Sequence, residues 1–476
     1  MNKYRRLLQN VGLFALNTVA TKLISFLLIP LYTTYLSPGM FGVTDMAATV
    51  ITLVTPLATL SIGDGLVRFL IEDSEHQKAY TTFSFMLTLI SCLIVALLLP
   101  VLDMHIFGGL GNYKLLFWIT YSTNAFLSYL GNLARGLNKI KLIPISSIAS
   151  SAVVCITAVV FIAKMKMGVN GYFYSLIVGS IVGMAVYLIV GHPYRLFLSQ
   201  PGFRGDKQIW RAMLLYSLPL IPNTLFWWIG SSINRFFITA MIGISASGLY
   251  AAASKIPNIL NLIYGIFQQA WNLSAFQEAK HEGAEHFFSV TFKLLNAVTV
   301  VASSGLILIS PWLAKLLLQK QFFAIWPLIG LLVVAFYFNT LNAFYGSIFT
   351  SSMKTKHLFT TTGLGAAVSI LFTWLLIPHI GLSGACLAMV VSNLSVLIMR
   401  ITVSRTIMTF KISWRYTISS ITILMVQAGT TAIRPSMVLP VSVICLASII
   451  LIEFCNCLPL LRAGASKLLI RRASKQ

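Results

Sequence analysis

Long apolar stretches alternate with short polar ones along almost the whole of this sequence. A stretch of about 18 or more apolar residues is long enough to cross the hydrocarbon core of a bilayer as a helix. About fourteen such stretches can be marked, each bounded by a few polar or charged residues. They are centred near 10–36, 41–63, 81–102, 115–134, 142–163, 169–190, 213–242, 246–270, 288–317, 325–350, 358–379, 382–403, 416–434 and 437–458. The pattern predicts an all-α integral membrane protein with about 14 transmembrane helices.

The composition agrees with this prediction and leaves little room for a separate soluble domain. Hydrophobic residues make up 57% of the 476 residues and charged residues only 9%, whereas soluble domains carry about 25% charged residues. Fourteen spans of about 20 residues use roughly 280 residues, so the rest forms short connections and tails. A membrane-embedded polymerase or glycosyltransferase usually needs a large outer loop with acidic residues. We therefore expect the protein not to be an enzyme.

The positive charge of the chain follows its predicted topology. The sequence has 34 lysines and arginines against 11 aspartates and glutamates, a net charge of +23. With the N-terminus inside, 24 of the 34 basic residues fall in inside segments, 6 in outside loops and 4 within spans. Basic residues concentrate in cytoplasmic loops, so we predict that both termini are cytoplasmic. The basicity then needs no nucleic-acid partner, and we expect none.

Three weak sequence matches recur in the same order at a nearly constant distance. They pair 42–48 with 248–254, 139–141 with 354–356, and 168–171 with 381–384. A repeat of six spans returns the chain to the same side, so the two halves have the same orientation, and parallel repeats hold a substrate site between them. We predict lobes at 1–205 and 206–411, then two appended spans and a basic tail at 412–476. The alternative is that helices beginning with small residues recur by chance.

The charged residues inside the predicted spans are mostly cations. A charge at mid-bilayer costs at least about 2.5–3.5 kcal/mol, so it usually faces a cavity and marks function. Lys22 and Arg235 lie in the first span of each half, where they could face each other across a central cleft. Lys255 and Lys293 are further candidates for substrate binding. Because ammonium and guanidinium groups bind phosphate or carboxylate, we expect an anionic substrate.

Several intramembrane residues have a plainer alternative. Lys293 is close enough to the inner end of its span to reach the interface. Asp45, near the outer end of span 2, is expected to be solvated or to pair with Lys255. Glu453 lies late in the last span and is expected to be peripheral. Arg68 at the inner mouth is a candidate gate residue, although loop basicity is the default explanation.

The seventh span concentrates helix-breaking and polar residues. Pro219 and Pro222 share it with Asn223, Asn234 and Arg235. Proline removes a helical hydrogen bond and kinks a helix, and the freed backbone groups tend to line cavities in transporters. This span is therefore predicted to be a bending helix that faces the substrate.

Metal and nucleotide chemistry are not indicated. His281 and His286 are five residues apart, whereas the zinc-protease motif needs two histidines four apart on one helical face. The sequence also lacks a phosphate-binding G-x-x-x-x-G-K-[ST] motif. We expect no metal site and no cofactor.

Two pairs of spans resemble a known family. The relevant segments are LIPLYTTYLSPGMFG at 28–42, GLVRF at 65–69, YSLPLIP at 216–222, NR at 234–235 and GLYA at 248–251. They resemble polysaccharide flippases of the multidrug/oligosaccharidyl-lipid/polysaccharide exporter superfamily. The resemblance implies two six-helix lobes forming a V, two extra C-terminal helices, and export of lipid-linked repeat units for O-antigen, capsule or exopolysaccharide. Related flippases often have an acidic residue before the arginine, so Asn234 implies a less neutralised Arg235.

With this resemblance, the expected function is translocation of an undecaprenyl-diphosphate-linked oligosaccharide across the bacterial cytoplasmic membrane by alternating access. Lys22, Arg235 and Lys255 would hold the diphosphate. The expected partners are the lipid-linked oligosaccharide, membrane lipids, a coupling ion (H⁺ or Na⁺) and other polysaccharide-assembly proteins.

Gate or ion-coupling roles are expected for Arg68, Asp45 and Asn234, although the asparagine puts ion coupling at position 234 in doubt. Two other transport functions stay open. A multidrug or cation antiporter of the same fold should favour acids in its cavity, which are few here. A peptidoglycan-precursor flippase would have a similar basic cavity.

Overall fold

The computed structural model describes residues 3–192, 207–278 and 283–473. Within these ranges the regular elements are helices, and no strand occurs. The predicted all-α membrane fold is confirmed. The predicted lobe boundary at 205, together with His281, lies outside the described residues.

The helices follow one another with short connections. Those up to residue 255 are α1 (Lys3–Tyr35), α2 (Pro38–Ala58), α3 (Ile62–Glu72), α4 (Gln77–Leu98), α5 (Lys114–Gly136), α6 (Leu142–Ala158), α7 (Gly168–Gly191), α8 (Lys207–Ser217), α9 (Leu220–Met241) and α10 (Ile244–Lys255). The later ones are α11 (Asn258–Glu278), α12 (Ala284–Leu317), α13 (Ile329–Ser351), α14 (Thr355–Ser404), α15 (Trp414–Ile433) and α16 (Val438–Ala473). Short 3₁₀ segments lie at Leu99–Asp103, His105–Phe107, Leu110–Tyr113, Lys320–Leu328 and Pro435–Met437, and a π-helical turn at Val159–Lys164 extends α6.

Among the described residues, ten segments are long and apolar enough to cross a membrane. They correspond to eleven of the predicted spans, because α14 contains two. The three remaining predicted spans are helical as well, in α1, α5 and the pair α10–α11.

Backbone breaks divide three long helical stretches within the described residues. Span 7 separates into α8 and α9 at Leu218–Pro219, which agrees with the predicted bend. Span 8, predicted as one helix over 246–270, is interrupted at Pro257 between α10 and α11, because proline cannot donate the helical hydrogen bond. The 50 residues of α14 turn sharply at Gly381, where φ is 58° and ψ is −134°. An unbroken helix of that length would measure about 75 Å, more than twice the thickness of the hydrocarbon core.

The sequence repeat reappears in the backbone conformation. Gly168 and Gly381, a matched pair in the sequence, both have φ of 58°. Asn138 and Met353, each directly before a matched lysine, have φ of 58° and 57°. Left-handed residues are uncommon outside glycine, so their recurrence at matched positions supports the duplication independently of side-chain similarity.

The chain folds into two compact units. The first comprises Met1–Ala252 with Leu317–Phe322, and the second comprises Ala253–Leu316 with Phe323–Gln476. The first unit thus includes α8, α9 and most of α10, which the sequence repeat assigns to the second lobe. The repeat-based boundaries at 205 and 411 stay a prediction.

Each unit has its own buried centre. In the first unit, Met46 of α2, Tyr121 of α5 and Phe173 of α7 belong to one apolar cluster. In the second unit α13 is buried on nearly all sides, from Ile329 to Phe349. A helix that is apolar all round is expected at the centre of a bundle.

Two matched glycines allow α2 and α10 to touch. A Cβ atom on Gly248 would overlap the carbonyl oxygen of Pro38, and one on Gly42 would overlap the carbonyl oxygen of Ile244. Pro38 and Ile244 each lie four residues before one of the glycines, so the two contacts mirror each other. Small residues at such crossings let membrane helices approach closely.

The turn between α3 and α4 is organised by one carboxylate. Tyr80 donates to Asp73 Oδ2 over 2.8 Å, His76 Nδ1 lies 2.7 Å from the same oxygen, and the Glu75 amide donates to Oδ1 over 2.8 Å. These hydrogen bonds, that from Tyr80 most of all, lower the pKa of Asp73 to about 2.

We expect Gly248→Ala to destabilise the protein by about 1–3 kcal/mol, because the added methyl group overpacks a backbone contact. The matched control is Gly230→Ala in α9, where a Cβ atom would meet nothing within 4 Å. The control should be neutral or slightly stabilising, since alanine is the better helix former. Thermal unfolding of the detergent-solubilised protein measures both, and equal effects of the two variants would contradict the close crossing.

The lowered pKa of Asp73 predicts a pH dependence of stability. The carboxylate contributes stability that is fully present above its unfolded pKa of about 4 and is lost as the pH falls towards about 2. Between these values the unfolding temperature of Asp73→Asn should fall less than that of the unchanged protein. Tyr80→Phe removes one donor and should give an intermediate slope. Identical slopes for all three proteins would rule out this contribution.

Candidate functional site

An ion pair inside the first unit joins two of the residues singled out in the sequence. Arg235 on α9 donates from Nε to Asp45 Oδ2 on α2 over 2.5 Å. The side chains are only 18% and 9% exposed, respectively. The expectation that Asp45 is solvated was wrong, because the packing of α9 and the neighbouring helices on this part of α2 excludes solvent from the carboxylate.

The local geometry of both helices explains why these residues meet. Helix α2 begins with Ser37, whose hydroxyl accepts from the Met40 amide, and with Pro38 in the first turn. On α9, Trp228 lies seven residues before Arg235, which is two helical turns and therefore the same face. Its indole Nε1 contacts the Thr49 carbonyl oxygen at 3.2 Å and Thr52 Oγ1 at 3.3 Å.

The contacted residues on α2 also share one face. Asp45, Thr49 and Thr52 follow the i, i+4, i+7 spacing of a helical stripe. The ion pair and the indole contacts thus hold the same two faces together at two successive levels. This fixes both the rotation and the depth of α9 against α2.

The pair corrects the expectation for Asn234. An asparagine at this position was expected to leave Arg235 less neutralised, but Asp45 supplies the missing negative charge from another helix. Consecutive helical residues point about 100° apart, so residue 234 is not the natural partner of residue 235. Asn234 itself is buried, at 5% exposure.

Several hydroxyl groups surround the pair. Ser247 Oγ donates to the Arg235 carbonyl oxygen over 3.4 Å. The phenol of Tyr172 interacts electrostatically with Asp45, and the phenol of Tyr250 interacts electrostatically with Arg235. The ring of Tyr32 lies edge-on to that of Tyr172, with centroids 5.7 Å apart. The site therefore combines one ion pair with aromatic and hydroxyl surfaces.

The other predicted site residues lie in separate places. Lys22 is exposed on α1, and Lys255 is half-buried as the last residue of α10. Arg68 is exposed on α3, where Nε donates to Glu72 over 3.0 Å and the guanidinium lies 4.5 Å from the ring centre of Tyr216. That Lys22 and Lys255 act together with Arg235 stays a prediction.

Lys293 lines a cavity of about 210 Å³ within the second unit, beside Asn296 and Asn456. Its expected role in binding the transported substrate stays a prediction. The neighbouring Glu453 was expected to be peripheral, and this was wrong. It is 3% exposed and accepts from Asn296 at 3.2 Å, Ser420 at 2.7 Å and Asn456 at 3.1 Å.

Sequence reasoning missed one buried cation. Arg400 is one of the 24 basic residues that the topology prediction assigns to inside segments. In the structure it lies within α14 at 8% exposure. Nη1 donates to the Asn342 carbonyl oxygen over 2.5 Å, Nη2 to Thr362 Oγ1 over 3.0 Å and Nε to Thr361 Oγ1 over 3.2 Å. Its signal in the sequence is its position within the apolar stretch predicted at 382–403.

Possible metal ligands do not gather in the described ranges. No group of three or more His, Cys, Asp or Glu side chains there could hold a metal ion. His286, one of the two histidines considered in the sequence, lies in the first turn of α12.

Comparisons with known proteins bear on this architecture. The family model described as polysaccharide biosynthesis protein matches residues 7–272, which is more than half of the chain. The comparison with curated protein sequences gave no match.

Several solved structures share the fold. The lipid II flippase MurJ in an inward closed conformation is 14% identical, with a TM-score of 0.71, and the match covers 94% of this chain and 99% of that one. An inward-facing multidrug resistance MATE transporter of the MOP superfamily is 15% identical, with a TM-score of 0.68 and coverage of 86% and 99%. A MOP superfamily transporter from Pyrococcus furiosus is 15% identical, with a TM-score of 0.57 and coverage of 85% and 98%. At these identities the likeness concerns the fold alone.

We expect Asp45→Asn and Arg235→Gln each to destabilise the protein by about 3–5 kcal/mol, because each leaves one buried charge uncompensated. The double variant should lose less than the sum of the two single losses. The matched control is Asp103→Asn, which breaks the exposed Lys114–Asp103 pair and should cost at most about 1 kcal/mol. Thermal unfolding in detergent measures all four variants. Strictly additive losses would contradict a coupled pair.

Proposed function

This chain belongs to the polysaccharide biosynthesis protein family, and we propose from that premise that it is a flippase for an undecaprenyl-diphosphate-linked oligosaccharide repeat unit. It moves this lipid from the inner to the outer leaflet of a bacterial cytoplasmic membrane by alternating access, for assembly of a surface polysaccharide. Both of its termini are cytoplasmic. The family match over residues 7–272 carries the proposal.

The chemistry of the chain supports transport rather than catalysis. The apolar segments leave only short connections, and the intramembrane charges are mostly cations. Cations inside a membrane are costly unless they face a cavity or a partner. A diphosphate is an anionic group that can match them. The fold shared with the lipid II flippase MurJ is compatible with a substrate that carries a lipid tail and a polar head.

The diphosphate is held by Lys22, Arg235 and Lys255. Arg235 has Asp45 as its counter-ion through Nε, but a guanidinium has five N–H donors, so one contact does not exhaust it. Asp45 then acts as a positioning residue that fixes the plane of the guanidinium. The lysines supply compact charges on flexible side chains, which can follow a moving phosphate.

The same pair is the place where transport is coupled to H⁺ or Na⁺ in this proposal. Neutralising Asp45 with a proton or binding a cation beside it would remove the counter-charge of Arg235. The arginine would then attract an anionic substrate more strongly. Arg68, with its contacts to Glu72 and Tyr216, is the gate candidate.

A peptidoglycan-precursor flippase is the second candidate, favoured by the fold similarity to the lipid II flippase MurJ. The two functions separate by which intermediate accumulates when the gene is deleted. Our proposal expects a lipid-linked repeat unit to accumulate in the inner leaflet and surface polysaccharide to be lost, while cell-wall synthesis continues. Accumulation of the peptidoglycan precursor with polysaccharide intact would overturn it.

We expect Lys22→Gln to reduce glycan export roughly tenfold or more, since a charge-assisted hydrogen bond contributes about 1.5–3 kcal/mol. The matched control is Lys356→Gln, an exposed lysine in the first turn of α14, which should export normally. Complementation of the deletion strain, with protein levels measured, gives the readout. Normal export by Lys22→Gln and Lys255→Gln would show that the diphosphate site is assigned wrongly.

A further inference from the structure

The cavity in the second unit has a chemistry that the transport proposal does not use. It lies where α12 and α15 begin, beside α16 and the connection at 405–413. Its polar lining includes His286, Ser289, Lys293, Asn296, Lys411 and Asn456. At about 210 Å³ it is smaller than the roughly 300–1,000 Å³ of pockets that bury drug-sized ligands. It suits a small head group rather than an oligosaccharide.

Part of the cavity lining is cationic. Lys293 and Lys411 line it, with His286 from the first turn of α12. Among the described residues, Lys293 has no ion-pair partner within 4.0 Å. The helix starts at Ala284 and Trp414 add N–H groups and the positive ends of two helix dipoles. This part of the lining favours an anion.

Packing fixes the connection that carries Lys411. Ser289 Oγ donates to the Lys411 carbonyl oxygen over 2.5 Å, and Thr409 Oγ1 donates to Glu285 Oε1 over 3.2 Å. Phe410 inserts into a group of rings, with its centroid 6.2 Å from that of Phe292. The carboxyl group of Glu285 is thus engaged by the threonine hydroxyl of this segment. The lysine is therefore held at the cavity by its backbone, while its ammonium group stays exposed.

Asn456, another lining residue, carries an unpaired acceptor. Asn456 Nδ2 donates to Glu453 Oε2 over 3.1 Å, and an ionised carboxylate can only accept, so the amide nitrogen must face it. This orientation leaves Asn456 Oδ1 directed elsewhere, and that buried oxygen has no hydrogen-bond partner. Asn296 differs, because its Oδ1 accepts from the Tyr337 hydroxyl over 2.6 Å. Asn456 lines the cavity, so its unpaired acceptor is a place for a donor from a ligand.

We propose that this cavity binds the phosphoethanolamine head group of a phospholipid from the cytoplasmic leaflet. The phosphate lies against Lys293 and Lys411, and the terminal ammonium donates to Asn456 Oδ1. The negative charge of Glu453, which lies behind that asparagine, favours an ammonium over a neutral hydroxyl. The cavity lies near the inner ends of the spans predicted at 288–317 and 437–458, where lipid head groups are found, and it shares no residue with the diphosphate site of Lys22, Arg235 and Lys255.

The experiment varies the ligand group that would meet Asn456 Oδ1 and leaves the protein unchanged, because replacing Asn456 would take a donor from buried Glu453. Detergent-solubilised full-length protein is titrated with short-chain phosphatidylethanolamine, short-chain phosphatidylcholine and inorganic phosphate. The readouts are the unfolding temperature and lipid adducts in native mass spectrometry. We expect phosphatidylethanolamine to bind at least about tenfold more tightly than phosphatidylcholine, whose quaternary ammonium cannot donate a hydrogen bond.

The role of the Lys411 ammonium group is tested with Lys411→Gln, which keeps the backbone carbonyl that accepts from Ser289. It should weaken phosphatidylethanolamine binding, whereas the control Lys356→Gln should bind as the unchanged protein does. Equal binding of the two lipids, or unaltered binding by Lys411→Gln, would overturn the proposal. Inorganic phosphate that matches the lipid at equal concentration would also overturn it, in favour of a free-phosphate site. Glycan export is not part of the readout, so failure here leaves the flippase proposal standing.

Discussion

The contact between Asp45 and Arg235 is the constraint on which the first unit depends. Neither side chain can be buried alone without a large desolvation cost, so α2 and α9 must present matching faces at this level. Trp228 and Thr49 meet on those same faces, which leaves little freedom for either helix to rotate. The close crossing of α2 with α10 at Gly248 then sets a second boundary on the position of α2.

Buried charges elsewhere in the chain are stabilised differently. Glu453 accepts three hydrogen bonds from neutral side chains, and Arg400 donates to two threonines and one backbone carbonyl. No carboxylate lies within 4.0 Å of Arg400 in the part of the chain that is described. Neutral dipoles can satisfy the directional demands of a charge without cancelling it. These residues therefore keep an electric field inside the second unit, whereas the Asp45–Arg235 pair largely cancels its own.

Most of the fold was predictable because membrane spans are set by length and apolarity, which are local properties of the sequence. The breaks beside Pro219 and Gly381 were also predictable, the first from proline chemistry and the second from the separate apolar stretches at 358–379 and 382–403. The interruption at Pro257 follows from the same proline chemistry, although the apolar run continues through it. The partners of buried charges were harder to predict. Asp45 and Arg235 are 190 residues apart in sequence, and only the packed helices determine that they meet. For the same reason the hydrogen-bond partners of Glu453 and Arg400 could not be read from the sequence.

The mirrored contacts of Gly42 and Gly248 have a consequence for how this chain can change over time. Each glycine packs on the carbonyl that lies four residues before the other, which is how two identical subunits touch across a twofold axis. An unduplicated ancestor with this packing would have formed a homodimer. In it, the glycine of each subunit would have packed on the carbonyl four residues before the same glycine of the other subunit. After fusion the two positions could drift apart in sequence but not in size. Duplication usually allows one copy of a residue to change, but at this crossing a larger residue at either position would overlap a backbone carbonyl.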